Sequence, residues 1–219
     1  MLLYHGSKSG IKGDIRPNAS RDTCDFGLGF YMGNKADQPK GLIATRPNGR
    51  YYEMDYNMEG LKIKEFGNTA DEKIDWALFI AYNRKAVSFN SYETLKLRYD
   101  AYNALYDVII GPIADDSMVV TLENFFSGSS TDKEMIACLQ HVKLGEQYVL
   151  KTKKACSKER IKIIVDRPLR FDEKKLAKAE NSQRKQQMDS ILTMYRKKYR
   201  RDTSAKFIDE IMEEWNGCN

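Results

Sequence analysis

The 219-residue sequence is poor in the residues that build metal centres and covalent frameworks. It contains two histidines, His5 and His141, and four cysteines that lie far apart and form no CxxC pair. A zinc site needs several such ligands at short spacing, and a disulfide framework needs paired cysteines, so neither is indicated. The sequence therefore predicts a protein without a bound metal, in a reducing, cytoplasmic environment.

Long apolar runs are missing as well. No segment approaches the length of a membrane-spanning helix, and the apolar stretch in MLLYHGSK is too short for a signal peptide. With 42% hydrophobic and 31% charged residues, the composition is typical of a soluble globular protein. We therefore expect no membrane partner.

Positive charge is distributed unevenly along the chain. Residues 1–150 contain 17 Lys and Arg against 20 Asp and Glu, whereas residues 151–206 contain 19 against 7. A basic segment of this kind can face the phosphates of RNA or DNA or an acidic partner protein, and it can equally be a solvated helix surface. Charge alone does not choose between these interpretations.

Hydrophobic periodicity and turn residues predict a mixed fold. A capping box at Thr69 and Glu72 begins a helix over roughly residues 71–86, and further helices are expected after Ala36 and after Thr131. Strands are expected at residues 2–4 and 106–110, and in the runs QYVLK and RIKIIV. Strands and helices do not alternate regularly, so the sequence favours the α+β class over a doubly wound sheet.

The character of the chain changes after residue 168, so we expect a main domain at 1–168 and a basic helical C-terminal extension at 169–219. One helical stripe is formed by Met188, Ile191, Leu192, Tyr195 and Tyr199. Asp202 or Thr203 is expected to cap a last helix. The apolar face of that helix comprises Phe207, Ile208, Ile211, Met212 and Trp215. The extension should pack on the main domain or on a partner.

The most distinctive short stretch is DFGLGFYMGN, residues 25–34. Glycine lets a backbone approach a ligand without a Cβ in the way, and an aromatic ring after the turn offers a flat face for stacking. The same pattern also suits a β-hairpin corner with core aromatics. It is not a kinase motif, because no HRD-type loop precedes it, and its glycines do not open a helix as in a Rossmann site.

Together with YHGS at residues 4–7, this stretch resembles the ADP-ribosyltransferase superfamily, in the H-Y branch that includes diphtheria toxin and the poly(ADP-ribose) polymerases. The order LYHGS, DFGLGFYMG, DWALFIAYNR, YDVIIGPIADD and EQYVLKT is similar to the bacterial DUF3990 family over about residues 2–165. The resemblance implies a split β-sheet core with peripheral helices. It also implies mono-ADP-ribosyl transfer from NAD, a co-substrate, to a protein or nucleic acid by a toxin or defence effector, with an antitoxin protein as a candidate partner.

The resemblance further implies roles for individual residues. The residues that would contact NAD are His5, Gly6, Ser7, Gly27, Gly29, Phe30 and Tyr31. His5 would bind the adenosine ribose, the Gly6 backbone the nicotinamide amide, and Ser7 the nicotinamide ribose or amide. Tyr31 would stack on the nicotinamide ring, while Gly27 and Gly29 keep the loop thin.

The third catalytic position departs from the better-known pattern. Where other members place a glutamate on a late strand, this chain has Glu146 and Gln147, and the resemblance aligns Gln147 with that position. An amide can orient a ribose hydroxyl but supplies no negative charge. Either residue can therefore fill the role, and synthesis of poly(ADP-ribose) chains is not expected. The alternative is a non-catalytic module that binds ADP-ribose or nucleic acid.

Four other sites have simpler interpretations. Asp115 and Asp116 suit a solvated loop better than a base or metal pair, and His141 suits the end of a helix. Trp76 and the pair Asn83-Arg84 are expected to hold their helix to the sheet.

Overall fold

The computed structural model describes residues 1–87, 89–114, 116–141 and 145–217, and within them the chain forms seven β-strands and seven α-helices. The strands are β1 (Leu2–Ser7), β2 (Phe30–Gly33), β3 (Arg50–Tyr56), β4 (Ile63–Glu65), β5 (Val108–Pro112), β6 (Glu146–Leu150) and β7 (Ile161–Pro168). The helices are α1 (Asp37–Ile43), α2 (Ala70–Arg84), α3 (Phe89–Leu105), α4 (Asp116–Phe126), α5 (Asp132–His141), α6 (Phe171–Tyr199) and α7 (Ile208–Gly217). The predicted α+β class is confirmed.

All the described strands belong to one sheet in the order β4-β5-β6-β2-β1-β3-β7, in which β4 and β5 alone are parallel. The centre of this sheet is weakly joined. Strands β2 and β1 share a single residue pair, Tyr4 with Gly33, whereas β1 and β3 share six. The sheet therefore consists of two halves, β4-β5-β6-β2 and β1-β3-β7, that meet at one point.

The largest core lies between the first half of the sheet and helices α2 to α5. Trp76 and Phe79 of α2 are fully buried there, against Ile109 of β5 and Val149 of β6. A second cluster covers the opposite face of the sheet, and a third packs Ile43 of α1 onto β3. Each half of the sheet thus has its own helical cover.

Helix α2 forms where the sequence predicts it. The Thr69 side chain accepts the Glu72 N–H, and the Glu72 carboxylate accepts the Thr69 N–H, which completes the capping box. The Trp76 indole donates to the Pro112 carbonyl at 3.1 Å, so this residue does hold the helix to the sheet. The helices expected after Ala36 and Thr131 are confirmed as α1 and α5.

The C-terminal helices pack on the rest of the chain. Met188 of α6 and Ile208, Ile211 and Met212 of α7 are buried in the same core as α2 to α5. Helix α6 contacts α1, which covers the second half of the sheet, and also α4 and α5, which cover the first. It therefore spans both halves. None of the described helices is both long and apolar enough to cross a membrane.

The predicted cap of the last helix is wrong. Helix α7 begins at Ile208, and the N–H of Phe207 donates to the Glu210 carboxylate at 2.7 Å. The Asp202 carboxylate instead binds Ser204 and Lys133, because residues 200–206 form a turn that separates the two helices. Phe207 lies outside the apolar face and is 44% exposed.

Candidate functional site

The two halves of the sheet separate beside the YHGS motif. Beyond the Tyr4–Gly33 pair, His5, Gly6 and Ser7 remain paired with β3, whereas β2 remains paired with β6. The His5 ring spans the gap, with Nδ1 2.6 Å from the Tyr31 carbonyl oxygen. In a continuous sheet, a backbone N–H of the neighbouring strand would donate to this carbonyl. Here the His5 side chain takes that place. The two motifs that the sequence singled out meet at this gap.

Strand pairing assigns the candidate residues to two faces of the sheet. Directly paired residues share a face, and neighbours along a strand alternate. The deciding pairs are Tyr4 with Gly33, Gly33 with Gln147, and Tyr31 with Val149. Tyr31 and Gln147 therefore share one face, and His5 and Glu146 lie on the other. Each face carries one H-Y motif residue and one candidate for the third position.

Tyr31 is fixed by its hydroxyl to the glycine loop that precedes it. The hydroxyl donates to the Gly27 carbonyl at 2.7 Å and accepts the Phe26 N–H at 3.0 Å. Burial raises the pKa of this phenol well above its ordinary value, so it stays protonated and can make both contacts. The orientation of the ring is therefore set by the loop.

Packing within the protein requires glycine at positions 27 and 29 of the loop. Gly27 has a φ of +67°, and a Cβ there would lie 2.7 Å from the Asn83 side-chain oxygen. A Cβ at Gly29 would lie 2.3 Å from the Val149 side chain. Any larger residue would push the loop away from α2 or β6. The sequence interpretation assigned these glycines to the ligand, whereas the contacts give each a structural reason.

Asn83 and Arg84 hold α2 to the same loop, which corrects the expectation that they hold it to the sheet. The Asn83 amide donates to the Asp25 carbonyl at 3.2 Å, and the Arg84 guanidinium donates two hydrogen bonds of 2.6 and 2.8 Å to the Asp25 carboxylate. The aspartate of the DFG triplet thus anchors the loop to a helix.

Lys151, which the sequence did not single out, clamps the loop from the other side. Its ammonium donates to the carbonyls of Phe26 and Leu28, each at 2.5 Å. Burial lowers its pKa to about 8. The lysine follows the buried strand β6, and the carbonyls it binds lie more than a hundred residues earlier in the chain. The local sequence around Lys151 therefore gives no sign of this role.

Removing this clamp should destabilise the protein. Lys151→Met keeps the aliphatic stem but leaves the Phe26 and Leu28 carbonyls without their donor, so we expect the free energy of unfolding to fall by about 1–3 kcal/mol. Urea denaturation measures this directly. The exposed neighbour provides the control, because Lys153→Met removes the same charge and should change stability by less than about 0.5 kcal/mol. Equal effects of the two substitutions would contradict the clamp.

The His5 contact also fixes the state of the ring. A carbonyl oxygen can only accept, so Nδ1 carries the proton and Nε2 of the neutral ring is an acceptor. Burial lowers the pKa of His5 to about 4, and the Tyr31 carbonyl partly opposes that shift. The ring packs against Phe30, with the ring centroids 4.5 Å apart. At neutral pH the gap therefore contains an uncharged imidazole with one acceptor nitrogen.

This shift predicts a pH dependence of stability. Between about pH 6.5 and pH 4 the unfolded chain binds a proton at His5 that the folded chain does not, so the free energy of unfolding should fall as the pH falls through this window. Urea denaturation across the window should show a shallower fall for His5→Gln. An unchanged slope in a folded His5→Gln variant would show that His5 is not the buried neutral group.

The two candidates for the third position differ in their surroundings. Gln147 is buried, and its amide donates to the Pro112 carbonyl at 3.1 Å. The Glu146 carboxylate is partly exposed and accepts a 3.0 Å hydrogen bond from the Asn34 side chain. The amide is thus engaged inside the protein, while the carboxylate lies at the start of the interior strand β6.

Ser7 ends β1 beside the gap, opposite Arg50. His141 lies elsewhere, at the end of α5, as expected of a residue at a helix end, with Nδ1 3.3 Å from the Tyr195 hydroxyl. Asp115 and the Asp116 side chain lie outside the described residues. Among the described residues, no group of three His, Cys, Asp or Glu side chains is arranged to hold a metal ion.

A family model with the description "Protein of unknown function (DUF3990)" matches residues 1–160. The chain belongs to the DUF3990 family. No curated protein and no solved structure matches it. The part of this DUF3990 protein that the family model covers contains His5, Tyr31, Glu146, Gln147 and Lys151, and so the whole candidate site. Strand β7 and helices α6 and α7 lie beyond it.

Proposed function

We propose that this DUF3990 protein is an NAD-dependent mono-ADP-ribosyltransferase of the H-Y branch, with an ADP-ribosyltransferase-like core. The observation that carries the proposal is the contact of the His5 ring with the Tyr31 backbone carbonyl at the gap between the two halves of the sheet, where the two side chains lie on opposite faces. Loops and gaps at strand ends are common positions for ligands, because backbone N–H and C=O groups there are not used in hydrogen bonds between strands. Under this proposal NAD binds across the gap.

The state of each side chain suits this binding mode. The acceptor Nε2 of His5 would take a hydrogen bond from a hydroxyl of the adenosine ribose, and the Gly6 backbone would bind the nicotinamide amide. Ser7 would support the nicotinamide ribose. The ring of Tyr31 would stack on the nicotinamide, and its two hydroxyl contacts hold it in place before the ligand arrives. Such preorganisation lowers the cost of ordering the complex.

The proposed reaction breaks the glycosidic bond between ribose C1′ and the nicotinamide nitrogen, and nicotinamide leaves with the bonding electrons. The nucleophile of the acceptor forms the new bond to C1′ and loses its proton. The ribose gains oxocarbenium character on the way, which a nearby carboxylate would stabilise. Glu146 could supply that charge, whereas the uncharged Gln147, whose amide is held by the Pro112 carbonyl, could only orient the ribose hydroxyl.

We further propose that the acceptor is a macromolecule and that the protein acts in the cytoplasm as a bacterial toxin or defence effector, paired with an antitoxin protein. The support is the basic C-terminal extension, which exceeds what a ligand as small as NAD requires.

Incubation of the protein with NAD labelled in the adenylate part, with and without cell lysate, tests the proposal. Label transferred to protein or nucleic acid, together with released nicotinamide, is the expected result. Degradation of the lysate with protease or nuclease then identifies the class of acceptor. If the sample binds NAD or ADP-ribose by calorimetry but shows no label transfer and no nicotinamide release, then the protein is a binding module and not an enzyme.

One observation favours that second candidate, a non-catalytic module that binds ADP-ribose or nucleic acid. Gln147 is 7% exposed and its amide nitrogen is already bound to a backbone carbonyl, so the position aligned with the catalytic glutamate is buried and carries no charge. The module would bind its ligand through the same His5 and Tyr31 contacts but would release no nicotinamide.

A further inference from the structure

One side of helix α6 carries a straight line of basic residues. Its members are Lys175, Lys178, Lys185 and Arg196 of the helix and Arg200, the residue that caps its C-terminal end in helical conformation, all exposed. Successive members are separated by 3, 7, 11 and 4 residues, and each of these steps returns to nearly the same side of an α-helix. The line runs for ~38 Å, at about 1.5 Å for each residue. We call these five residues the α6 basic line.

Most of these charges are not used by the protein itself; Arg196 is the exception, because its charge favours the ionised form of the Glu134 carboxyl. No member of the α6 basic line forms an ion pair with an acidic side chain of the described residues, although Arg196 also donates to the Ser129 carbonyl at 3.2 Å. The apolar side of α6 lies elsewhere on the helix, with Ala177 and Met188 buried against the body. The acidic helix α7 packs on the core of α2 to α5. Keeping so many like charges together on one side favours a partner of opposite charge.

The surroundings of the line indicate what kind of partner. The residues between its members on the same side of the helix are Ser182, Asp189 and Thr193. Protein interfaces take most of their binding energy from large apolar or aromatic anchors. None lies between Lys175 and Arg200 on this side, and the exposed ring of Phe171 lies one turn before Lys175, at the end of the line. A polyanion needs only charges repeated along its length, and the phosphates of a nucleic acid provide them.

We infer that the α6 basic line binds the phosphate backbone of a nucleic acid. The inference depends on the arrangement of α6 alone and not on the proposed transfer reaction. The structure also separates this line from neighbouring basic residues. Lys198 is not part of it, because two residues along the helix from Arg196 it lies on the opposite side, with its ammonium 5.1 Å from the centroid of the Tyr199 ring.

Fluorescence anisotropy with labelled 20-base-pair RNA and DNA duplexes and the matching single strands, at several salt concentrations, tests the inference with the full chain. In the line variant, Lys175, Lys178, Lys185 and Arg200 become glutamine. In the control variant, the exposed residues Lys12, Arg46, Lys153 and Lys162 become glutamine, so that both variants lose the same charge. Thermal unfolding confirms that both are folded. We expect the line variant to lose about 3–4 units of the slope of log affinity against log salt, and the control to lose much less.

Three outcomes would overturn the inference. The first is no binding of any of these probes by the wild-type chain at about 50 mM salt, where phosphate contacts are strong. The second is an equal loss in the two variants, which would show an effect of net charge alone. The third is equally tight binding of poly-glutamate or of phosphatidylserine vesicles through the same residues, which would assign the line to an acidic protein or to a lipid surface. The comparison of RNA with DNA and of duplex with single strand identifies the form that is preferred.

Discussion

Tyr31→Ala is expected to lower the rate of nicotinamide release from NAD by about tenfold or more, which corresponds to ~1.4 kcal/mol of transition-state stabilisation. The substitution removes the ring proposed to stack on nicotinamide and both hydroxyl contacts to the loop. His5→Ala should cause a loss of similar size, because it removes the acceptor nitrogen and the bridge to the Tyr31 carbonyl. Steady-state release of nicotinamide measures both effects.

Two further variants separate catalysis from folding. Tyr31→Phe keeps the ring and loses the hydroxyl, so it should retain more activity than Tyr31→Ala. Phe171→Ala removes an aromatic ring that is 85% exposed at the start of α6, and it should release nicotinamide at the wild-type rate. If Tyr31→Ala is folded and equally active, then the proposed NAD site is wrong, whatever the activity of the protein.

Activity should also distinguish Gln147 from Glu146. If Gln147 contacts the nicotinamide ribose, Gln147→Ala should reduce nicotinamide release more than Glu146→Ala, and by about tenfold or more relative to wild type. If the charge of Glu146 acts instead, Glu146→Ala should have the larger effect and Glu146→Gln should not restore the rate. Single-turnover measurements at saturating NAD compare the chemical step in all three variants.

The surroundings of Gln147 add a stability readout. In Gln147→Glu, a carboxylate would face the Pro112 carbonyl, so two acceptors would meet where a donor and an acceptor meet now. We expect the free energy of unfolding to fall by about 1–3 kcal/mol. Gln147→Ala should cost less, because the Trp76 indole still donates to the same carbonyl. A gain in NAD hydrolysis by a stable Gln147→Glu protein would show that this side chain turns toward the ligand.

Helices and strands that are marked by short local sequence patterns were predicted correctly. The capping box at Thr69 predicted the start of α2, and the β-prone runs predicted β5, β6 and β7 within a few residues. Helix α4 had no prediction, because Val119, Val120 and Thr121 favour a strand by themselves. The buried residues Met118, Leu122 and Phe125 make it a helix, since that spacing places them on one side against the core.

The site was predictable in its residues but not in its supports. The resemblance named both His5 and Tyr31, and in the structure the His5 ring contacts the Tyr31 backbone carbonyl. The roles of Lys151 and Asp25 depend on contacts with distant parts of the chain, and no local pattern encodes them. The same reason explains the glycines. Whether Gly27 serves a ligand or the Asn83 side chain is decided by where α2 lies, which periodicity does not give.

Helix α6 spans the helical covers of both halves of the sheet, and this has a consequence for how the chain folds during synthesis. The core between the first half of the sheet and helices α2 to α5 also includes Ile208, Ile211 and Met212. The ribosome adds these three residues after all the residues of the candidate site. Until then, the apolar surface that Met188 and these three residues cover is open to water, and the halves of the sheet share one residue pair. The core behind the first half of the sheet is therefore completed only by the last residues to be synthesised, and a chain that lacks them exposes apolar surface that favours aggregation.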